Sequence, residues 1–500
     1  MEKIGVTRDA DIPPLAWLFT EHAPSGSVIC GTSVIVKPDG FFEGAWATES
    51  VGEWNFSDSP NVFGSGMKRM SEGWFAVPPS HTLECIYIIQ CDGAWRASNS
   101  LPFLLAHTGA KFTTEDRTLL KSLVSIVRGI HTSPVKIHTD KGILHLLFHH
   151  NALLGKRLEI RPKPAPAPFS DFAAYRNYIQ SVCSAVAKNA SDPDRPRRYR
   201  LLATVSSGYD SPACAAIARS AGCTEAVTFT TARNGVSDDG TNIGLALGLK
   251  VLPVERLRTS EGHEGEEAEF FATGMQAEDF VYTALSELIS GRVFVTGFHG
   301  DKVWDRRSKP NTKIKRGDIS GSSLGEFRLA KDFVHLPLPF VGAQRHPDLS
   351  RISTSDEMHC FSVGGHYDRP IPRRIAEEAG VPRNLFGQRK KAISVLLFSD
   401  IDLISPMTRQ KIHGYLPPLT ARRLVDHITY RLGMAAYRGA MRIVGYARLP
   451  KSYSVFEHTN PMMVPTLKWA LREAGKRYET AAPLDRAMAE ICRESPELSP

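Results

Sequence analysis

The sequence predicts an α/β protein in which a β-rich α+β N-terminal domain precedes a C-terminal parallel, doubly wound sheet. Three observations predict it. Residues 1–161 contain short apolar runs separated by turn signals such as Lys37-Pro38-Asp39-Gly40. Residues 162–168 alternate proline with other residues, which removes backbone donors and favours an extended linker. From residue 200 onward, strand-length apolar runs alternate with helical patterns, as in a parallel sheet covered by helices.

The individual elements follow from hydrophobic periodicity and from turn residues. In the N-terminal domain we predict strands at residues 27–36, 41–47, 84–90 and 142–148. A helix is expected over 169–190. Beyond it, strands at 200–205, 226–230, 250–254 and 292–296 alternate with helices at 212–220, 239–247 and 266–289. The parallel-sheet domain is expected to span 169–400, and a helical extension packed on it is expected to span 401–500.

Bulk composition limits the class of protein. A chain of 500 residues predicts two or three domains, and 42% apolar residues are ordinary for a globular protein. The eight cysteines have no CxxC spacing, which argues against a disulfide framework and a zinc site. No apolar run is long enough to span a membrane. We therefore expect a cytoplasmic protein without a membrane partner. The net charge of +8 suits a phosphate-rich ligand as well as nucleic acid, so charge alone decides nothing.

The strongest motif lies directly after the first strand of the alternating region. Ser206, Ser207, Gly208, Tyr209, Asp210 and Ser211 form a small-residue turn that leads into a helix. Backbone N–H groups at a helix start are unpaired, and together with the helix dipole they form an anion site. Small residues allow a phosphate to approach this backbone closely. The alternative, an ordinary surface turn with a capping residue, is less favoured because ligands bind at the carboxyl ends of such strands.

This segment resembles the pyrophosphate loop of the ATP pyrophosphatase superfamily, whose pattern is Ser-Gly-Gly-x-Asp-Ser. Ser207 replaces the first glycine. The order of elements resembles asparagine synthetases and β-lactam synthetases, and it implies an adenine nucleotide alpha hydrolase-like fold that binds ATP. In this family a second motif follows the fourth strand. Thr296-Gly297-Phe298-His299-Gly300-Asp301-Lys302 resembles it in part, with Phe298, His299 and Lys302 in place of Glu, Gly and Glu.

The two motifs predict a metal site. Strands one and four are expected to be neighbours in the sheet, which would bring Asp210 and Asp301 together at one edge. Two carboxylates beside a triphosphate are natural ligands for Mg²⁺. The alternative for Asp301 is a capping residue in a loop.

A third stretch, from Tyr367 to Lys391, resembles the segment of asparagine synthetases that ends in a lysine facing the reacting phosphate. Alignment by residue order assigns that role to Lys390, with Lys391 as the second candidate. Such an ammonium would stabilise charge on the α-phosphate and on the departing pyrophosphate. The resemblance also implies a base site near Phe229, Thr230 and Gly297.

The N-terminal domain resembles a diverged glutaminase domain of the N-terminal nucleophile type. Its nucleophile would be a cysteine exposed after removal of the initiator methionine, whereas this chain begins Met1-Glu2. We therefore expect a scaffold or substrate-binding domain without glutaminase activity. Ammonia or an amine would come from solution, from a partner protein or from the substrate itself.

The resemblance implies an ATP-dependent, AMP- and pyrophosphate-forming ligase that adenylates a small-molecule or peptide carboxylate and forms an amide. Two alternatives stay open. One is a tRNA- or nucleobase-modifying enzyme that inserts sulfur or nitrogen, although nucleic acid is the less favoured partner. The other is a non-catalytic nucleotide-binding partner protein. A basic run with Arg306, Arg307, Lys309, Lys313, Lys315 and Arg316 follows the second motif; we interpret it as a lid over phosphates or an acidic substrate, or as a solvated loop.

Overall fold

The computed structural model describes residues 3–22, 25–233, 235–256, 266–365, 367–387, 391, 393–394, 404–416, 420, 424–425, 427–433, 435–436 and 460–479. Its strands are β1 (Gly5–Arg8), β2 (Trp17–His22), β3 (Ser25–Cys30), β4 (Ile35–Lys37), β5 (Gly40–Trp46), β6 (Val62–Met70), β7 (Gly73–Val77), β8 (Ile86–Cys91), β9 (Ala94–Ser98), β10 (Val135–Thr139), β11 (Gly142–Leu147), β12 (Asn151–Leu154), β13 (Leu158–Arg161), β14 (Arg200–Thr204), β15 (Glu225–Phe229), β16 (Lys250–Val254), β17 (Arg292–Thr296) and β18 (Val334–Pro337).

Its α-helices are α1 (Leu101–Thr108), α2 (Asp116–Leu123), α3 (Phe172–Ser191), α4 (Asp210–Ser220), α5 (Thr241–Ala246), α6 (Glu267–Ala272), α7 (Ser286–Ile289), α8 (Gly300–Val303), α9 (Gly325–Lys331), α10 (His346–Thr354), α11 (Pro370–Glu378), α12 (Pro406–His413) and α13 (Met463–Gly475). None of the helices in the described ranges is long and apolar enough to cross a membrane.

Residues before 162 form two facing sheets. Sheet 1 has the order β1-β3-β2-β9-β8-β11-β10, and sheet 2 has the order β13-β12-β7-β6-β5-β4. Aromatic side chains from both sheets share one core: the Trp17 and Phe41 ring centroids lie 5.0 Å apart, and those of Phe19 and Trp74 lie 4.7 Å apart. Alternating inward-facing residues of two packed sheets produce such a core. The predicted strand at 27–36 is two strands, β3 and β4, because the chain bends between them.

The third sheet is parallel throughout, with the order β16-β15-β14-β17-β18. Its two faces are both covered. Leu202 and Phe294 pack in one apolar cluster, whereas Ala203 and Val293 pack in another, as expected when successive strand residues point to opposite faces. The strand order reverses between β14 and β17, so the first and fourth strands of this sheet are neighbours. The coarse prediction of a mixed α/β protein with a parallel sheet is thus confirmed.

Two details of the C-terminal prediction are wrong. The helix expected over 266–289 is broken into α6, a 3₁₀ turn at Phe280–Leu285 and α7. Gly274, Gln276 and Ala277 all have positive φ, which a right-handed helix does not allow. The sequence from about residue 318 onward has a mostly helical pattern and predicts no strand there, yet this region contributes the edge strand β18. This strand is short and ends at a proline, so it gives little periodic signal.

Buried ionic groups join the β-rich region to the parallel-sheet region. Arg328 of α9 is 3% exposed and forms a bidentate pair with Glu43 of β5, with two N–O distances of 2.8 Å. Its Nε atom donates to Glu84 at 2.7 Å. The Glu326 carboxylate accepts a hydrogen bond from Ser100 Oγ at 3.0 Å. Buried charges require such partners, and these contacts hold the two regions in one arrangement.

Glu326 makes stability depend on pH. Burial raises the pKa of Glu326 from 4.5 to about 8 in the folded protein. Between these values the folded state binds more protons than the unfolded state, so stability falls as pH rises through this window. We expect the thermal midpoint of the wild type to fall more steeply between pH about 5 and about 8 than that of Glu326→Gln, whose side chain stays neutral. Thermal midpoints of the two proteins that change equally with pH, measured by differential scanning calorimetry, would contradict this.

Candidate active site

The loop between β14 and α4 contains small side chains and leads directly into the start of a helix. Tyr209 occupies the N-cap position of α4 without a capping hydrogen bond from its side chain. The N–H groups of the first helical turn are therefore directed out of the helix. The Oγ atoms of Ser206 and Ser211 lie 2.8 Å apart, and the Gly208 N–H donates to Ser206 Oγ at 3.2 Å. Small side chains and backbone amides thus form the surface of this turn.

The second motif lies directly against this turn because two of its residues lack a side chain. A Cβ atom on Gly297 would lie 2.8 Å from the Ser211 nitrogen, and one on Gly300 would lie 2.5 Å from the Asp210 Cγ. His299 has φ 76°, a left-handed conformation that favours glycine. The imidazole stacks on Phe340 with centroids 4.4 Å apart. Burial holds the His299 pKa well below 6.5.

Each of the two predicted metal ligands has a cationic neighbour. Asp210 forms an ion pair with Arg369, whose side chain is 4% exposed. Asp301 pairs with Lys302 at 2.6 Å, and the same ammonium contacts Asp318 at 3.0 Å. Burial lowers the pKa of Lys302, but the two carboxylates outweigh it and raise this pKa above its ordinary value. Likewise burial opposes the charge of Arg369, whereas Asp210 and, more weakly, Asp301 raise its pKa.

Lys391 is held at the same turn by three oxygen atoms. Its Nζ donates to Ser207 Oγ at 2.8 Å and to the Ser237 carbonyl at 2.6 Å, and it lies 3.9 Å from Asp238 Oδ1. Ser207 Oγ in turn donates to Asp238 Oδ1 at 2.7 Å. Burial raises the pKa of Asp238 above its ordinary value. Ser207 therefore has a defined contact, because it anchors Lys391.

These elements surround one cavity of about 220 Å³. One part of its wall is apolar, formed by Val227, Phe229, Tyr282, Phe298 and Ile393. The other part is polar and holds both predicted carboxylates together with a lysine and an arginine. An apolar wall beside a few convergent polar groups is typical of small-molecule sites.

The structure brings most of the predicted site residues together. The following predicted residues line the cavity: Ser206, Gly208, Tyr209, Asp210, Ser211, Phe229, Gly297, Asp301 and Lys391. Ser207 is not among the lining residues, but it is hydrogen-bonded to Lys391, which is. Thr230 is not among the lining residues, and its backbone pairs with Val254 and Asp238. Lys390 lies outside the described residues, so its predicted role stays a prediction.

Asp238, Arg369 and Tyr367 also line the cavity but were not predicted as site residues. Asp238 follows the second strand of the parallel sheet, and a search of all strand ends for carboxylates would have found it. Arg369 and Tyr367 lie in the third resembling stretch. The Tyr367 ring stacks on Tyr209 with centroids 4.7 Å apart, and its hydroxyl accepts from the Tyr209 N–H at 3.3 Å. Their contacts with the turn depend on tertiary structure and leave no local signal.

The donor set fits magnesium in one specific way. Within the described ranges, no group of three or more His, Cys, Asp or Glu side chains is arranged to hold a metal ion by itself. Mg²⁺, however, is commonly held by one or two carboxylates together with substrate phosphates. Asp210 and Asp301 line one cavity and have this chemistry. They would hold an ion that is bound together with a phosphate-bearing ligand, provided that the carboxylates exchange contacts with Arg369 and Lys302.

The cysteines offer little reactive chemistry near the cavity. The seven described cysteines are free thiols, and six of them are buried. Cys214 of α4 is fully buried, and burial raises its pKa well above 9. A thiol in this state is a poor nucleophile, because the thiolate is the reactive form. Cys360, the exposed one, is not among the residues that line the cavity.

No protein-family model matches this chain, and no curated protein matches its sequence.

Proposed function

We propose that this chain is an ATP-dependent, AMP- and pyrophosphate-forming ligase that adenylates a substrate carboxylate and then forms an amide with ammonia or an amine. One observation carries the proposal. The start of α4 at Asp210 and the start of α8 at Asp301 meet in one cavity, at the position where the strand order of the parallel sheet reverses. Open parallel sheets bind ligands at this position. The finer assignment, a doubly wound adenine nucleotide alpha hydrolase-like fold, is part of the proposal.

The cavity supplies groups for each end of ATP. The apolar wall with Phe229 and Tyr282 would receive the base, and the backbone amides at the start of α4 would bind the β- and γ-phosphates. Asp210 and Asp301 would hold Mg²⁺, which neutralises phosphate charge when bound. Arg369 and Lys391 add fixed positive charge at the polar wall. Such preorganised charge is most effective where negative charge develops during reaction.

The chemistry has two steps. A carboxylate oxygen attacks the α-phosphorus, the bond to the bridging oxygen of the β-phosphate breaks, and pyrophosphate leaves with that electron pair. An amine nitrogen then attacks the carbonyl carbon of the acyl-adenylate, AMP leaves, and the nitrogen loses a proton to solvent. In the first step Lys391 would stabilise charge on the departing pyrophosphate. The backbone amides at the start of α4 would keep the phosphates in position for attack.

The direct test is pyrophosphate exchange. Purified protein would be incubated with ATP, Mg²⁺, labelled pyrophosphate and a panel of small-molecule and peptide carboxylates, with and without ammonium. Exchange that requires a carboxylate supports the proposal. Transfer of isotopic oxygen from that carboxylate into AMP would identify the attacking atom. ATP binding without exchange across the panel would count against a ligase.

Lys391 provides a separate prediction about rate. We expect Lys391→Ala to lower kcat for exchange by about 100-fold and to change the KM for ATP much less, because the charge that it stabilises develops in the transition state. Ser207→Gly restores the residue of the family pattern but removes the hydroxyl that anchors Lys391. It should therefore lower kcat by about 10-fold, again with little change in KM. A Ser207→Gly variant as fast as the wild type would contradict the positioning role of Ser207.

A second candidate, a nucleotide-binding protein without catalysis, is favoured by one observation. Lys302 stands where the family pattern has glutamate, and its ammonium pairs with the predicted metal ligand Asp301. A cation at this position competes with Mg²⁺ for the carboxylate. Tight ATP binding that is independent of Mg²⁺, combined with no exchange, would select this candidate. The sulfur-inserting alternative is less favoured, because Cys214 is buried.

A further inference from the structure

Two segments that are distant in the sequence carry exposed cationic side chains and are joined by backbone hydrogen bonds. The segment 125–132 belongs to the β-rich region, and the segment 305–317 follows the second motif. Two backbone hydrogen bonds join them: the Ile130 N–H donates to the Lys313 carbonyl at 2.9 Å, and the Gly317 N–H donates to the Val127 carbonyl at 2.8 Å. The tertiary fold therefore brings together basic residues that are separate in the sequence.

The cations Arg128, Lys309, Lys313 and Lys315, called the basic rim below, are all exposed. In the described part of the chain, none of their charged groups forms a hydrogen bond or an ion pair. The segment 305–317 contains Asp305 as its single carboxylate, and Asp305 lies 3.7 Å from Arg307. Most exposed basic runs alternate with acidic residues that balance them, whereas this surface keeps its positive charge.

The rim adjoins the cavity at both ends of its loop. At the beginning, the Arg306 N–H donates to the Asp368 carbonyl at 3.2 Å, between the cavity-lining residues Tyr367 and Arg369. At the end, the chain continues from Gly317 into Asp318 and Ser320, which line the cavity. A Cβ atom on Gly317 would lie 3.1 Å from the Lys302 Cε. A ligand that extends out of the cavity can therefore reach this surface.

We propose that the basic rim binds an acidic segment of a peptide substrate whose reacting carboxylate enters the cavity. This inference rests on the proposed function and names the substrate class. Charge complementarity of this kind selects partners and accelerates their association. A peptide is favoured over single-stranded nucleic acid because neither segment has an exposed Phe, Tyr or Trp on which bases would stack. The β-rich region thereby gains a role in substrate binding through Arg128.

The test compares two charge-reversal variants of the full chain. The rim variant carries Lys309→Glu, Lys313→Glu and Lys315→Glu. The control variant carries the same change of charge at Lys111, Lys141 and Lys156, which are exposed and lie elsewhere on the β-rich region. Fluorescence anisotropy would measure binding of a labelled glutamate-rich peptide, its glutamine-substituted counterpart and a single-stranded RNA. Circular dichroism melts would verify that both variants fold.

We expect the wild type to bind the glutamate-rich peptide and the rim variant to bind it at least about ten-fold more weakly than the control variant. Equal binding by the two variants, or tighter binding of the RNA than of the acidic peptide, would overturn the proposal. Pyrophosphate exchange separates this result from the proposed function. If the peptide binds through the basic rim but no exchange occurs, the basic rim is supported as a binding surface and the proposed ligase activity is rejected. If exchange depends on the peptide and the rim variant retains it in full, the ligase activity is supported and the role of the basic rim is rejected.

Discussion

Replacing Asp210 with asparagine is expected to abolish pyrophosphate exchange, with a loss of at least about 1000-fold. The carboxylate lies at the first turn of α4, faces the cavity and pairs with Arg369. Asparagine keeps the size and polarity of the side chain but removes the negative charge that Mg²⁺ and Arg369 both require. The measurement is exchange at saturating ATP, together with calorimetric binding of ATP with and without Mg²⁺.

Two controls separate the role of Asp210 in the site from its role in the fold. Asp171 is also an aspartate at a helix start, where it caps α3 and accepts from the Ala174 N–H at 2.8 Å. Asp171→Asn should leave exchange near the wild-type rate. The double variant Asp210→Asn, Arg369→Met removes the buried cation that the single variant leaves uncompensated. It should recover stability without recovering exchange. Substantial pyrophosphate exchange by the Asp210→Asn variant would show that Asp210 does not have the role assigned to it in the site.

The parallel sheet could be predicted because its local and tertiary signals agree. Strand β16 and strand β17 match their predicted limits, since each is a short apolar run between turn residues. The edge strand β18 was missed because a strand of four residues has too few positions to establish a period. The break after α6 was missed for a related reason. Gln276 and Ala277 suit a helix by propensity, and tertiary packing alone imposes their positive φ.

The candidate site was predictable only where a residue type carries its own signal. Gly208 and Gly297 mark close approaches of the backbone, and Asp210 and Asp301 mark strand ends in the implied sheet. The partners of these carboxylates were not predictable. Arg369 follows Asp210 by 159 positions and Lys302 is adjacent to Asp301, so spacing gives no hint that each cation pairs with a predicted metal ligand. The site therefore has more internal charge compensation than the motifs suggest.

Replacing Arg328 with methionine is expected to destabilise the protein by about 3–5 kcal/mol, because it leaves a buried charge without its partner. Glu43 is fully buried, and Arg328 supplies both hydrogen bonds of a bidentate pair to it as well as a third bond to Glu84. Burial raises the pKa of Glu84 to about 7 even beside this cation. The denaturant midpoint of the first unfolding transition would measure the loss.

A compensated variant shows whether the loss comes from uncompensated charge or from lost packing. In the triple variant Arg328→Met, Glu43→Gln, Glu84→Gln the three side chains nearly keep their total volume. None of these three positions then carries a charge. We expect this variant to recover most of the lost stability, since well-packed neutral side chains often replace buried ion pairs at little cost. Equal destabilisation of the single and triple variants would show that directional hydrogen bonds, rather than charge balance, join α9 to the β-rich region.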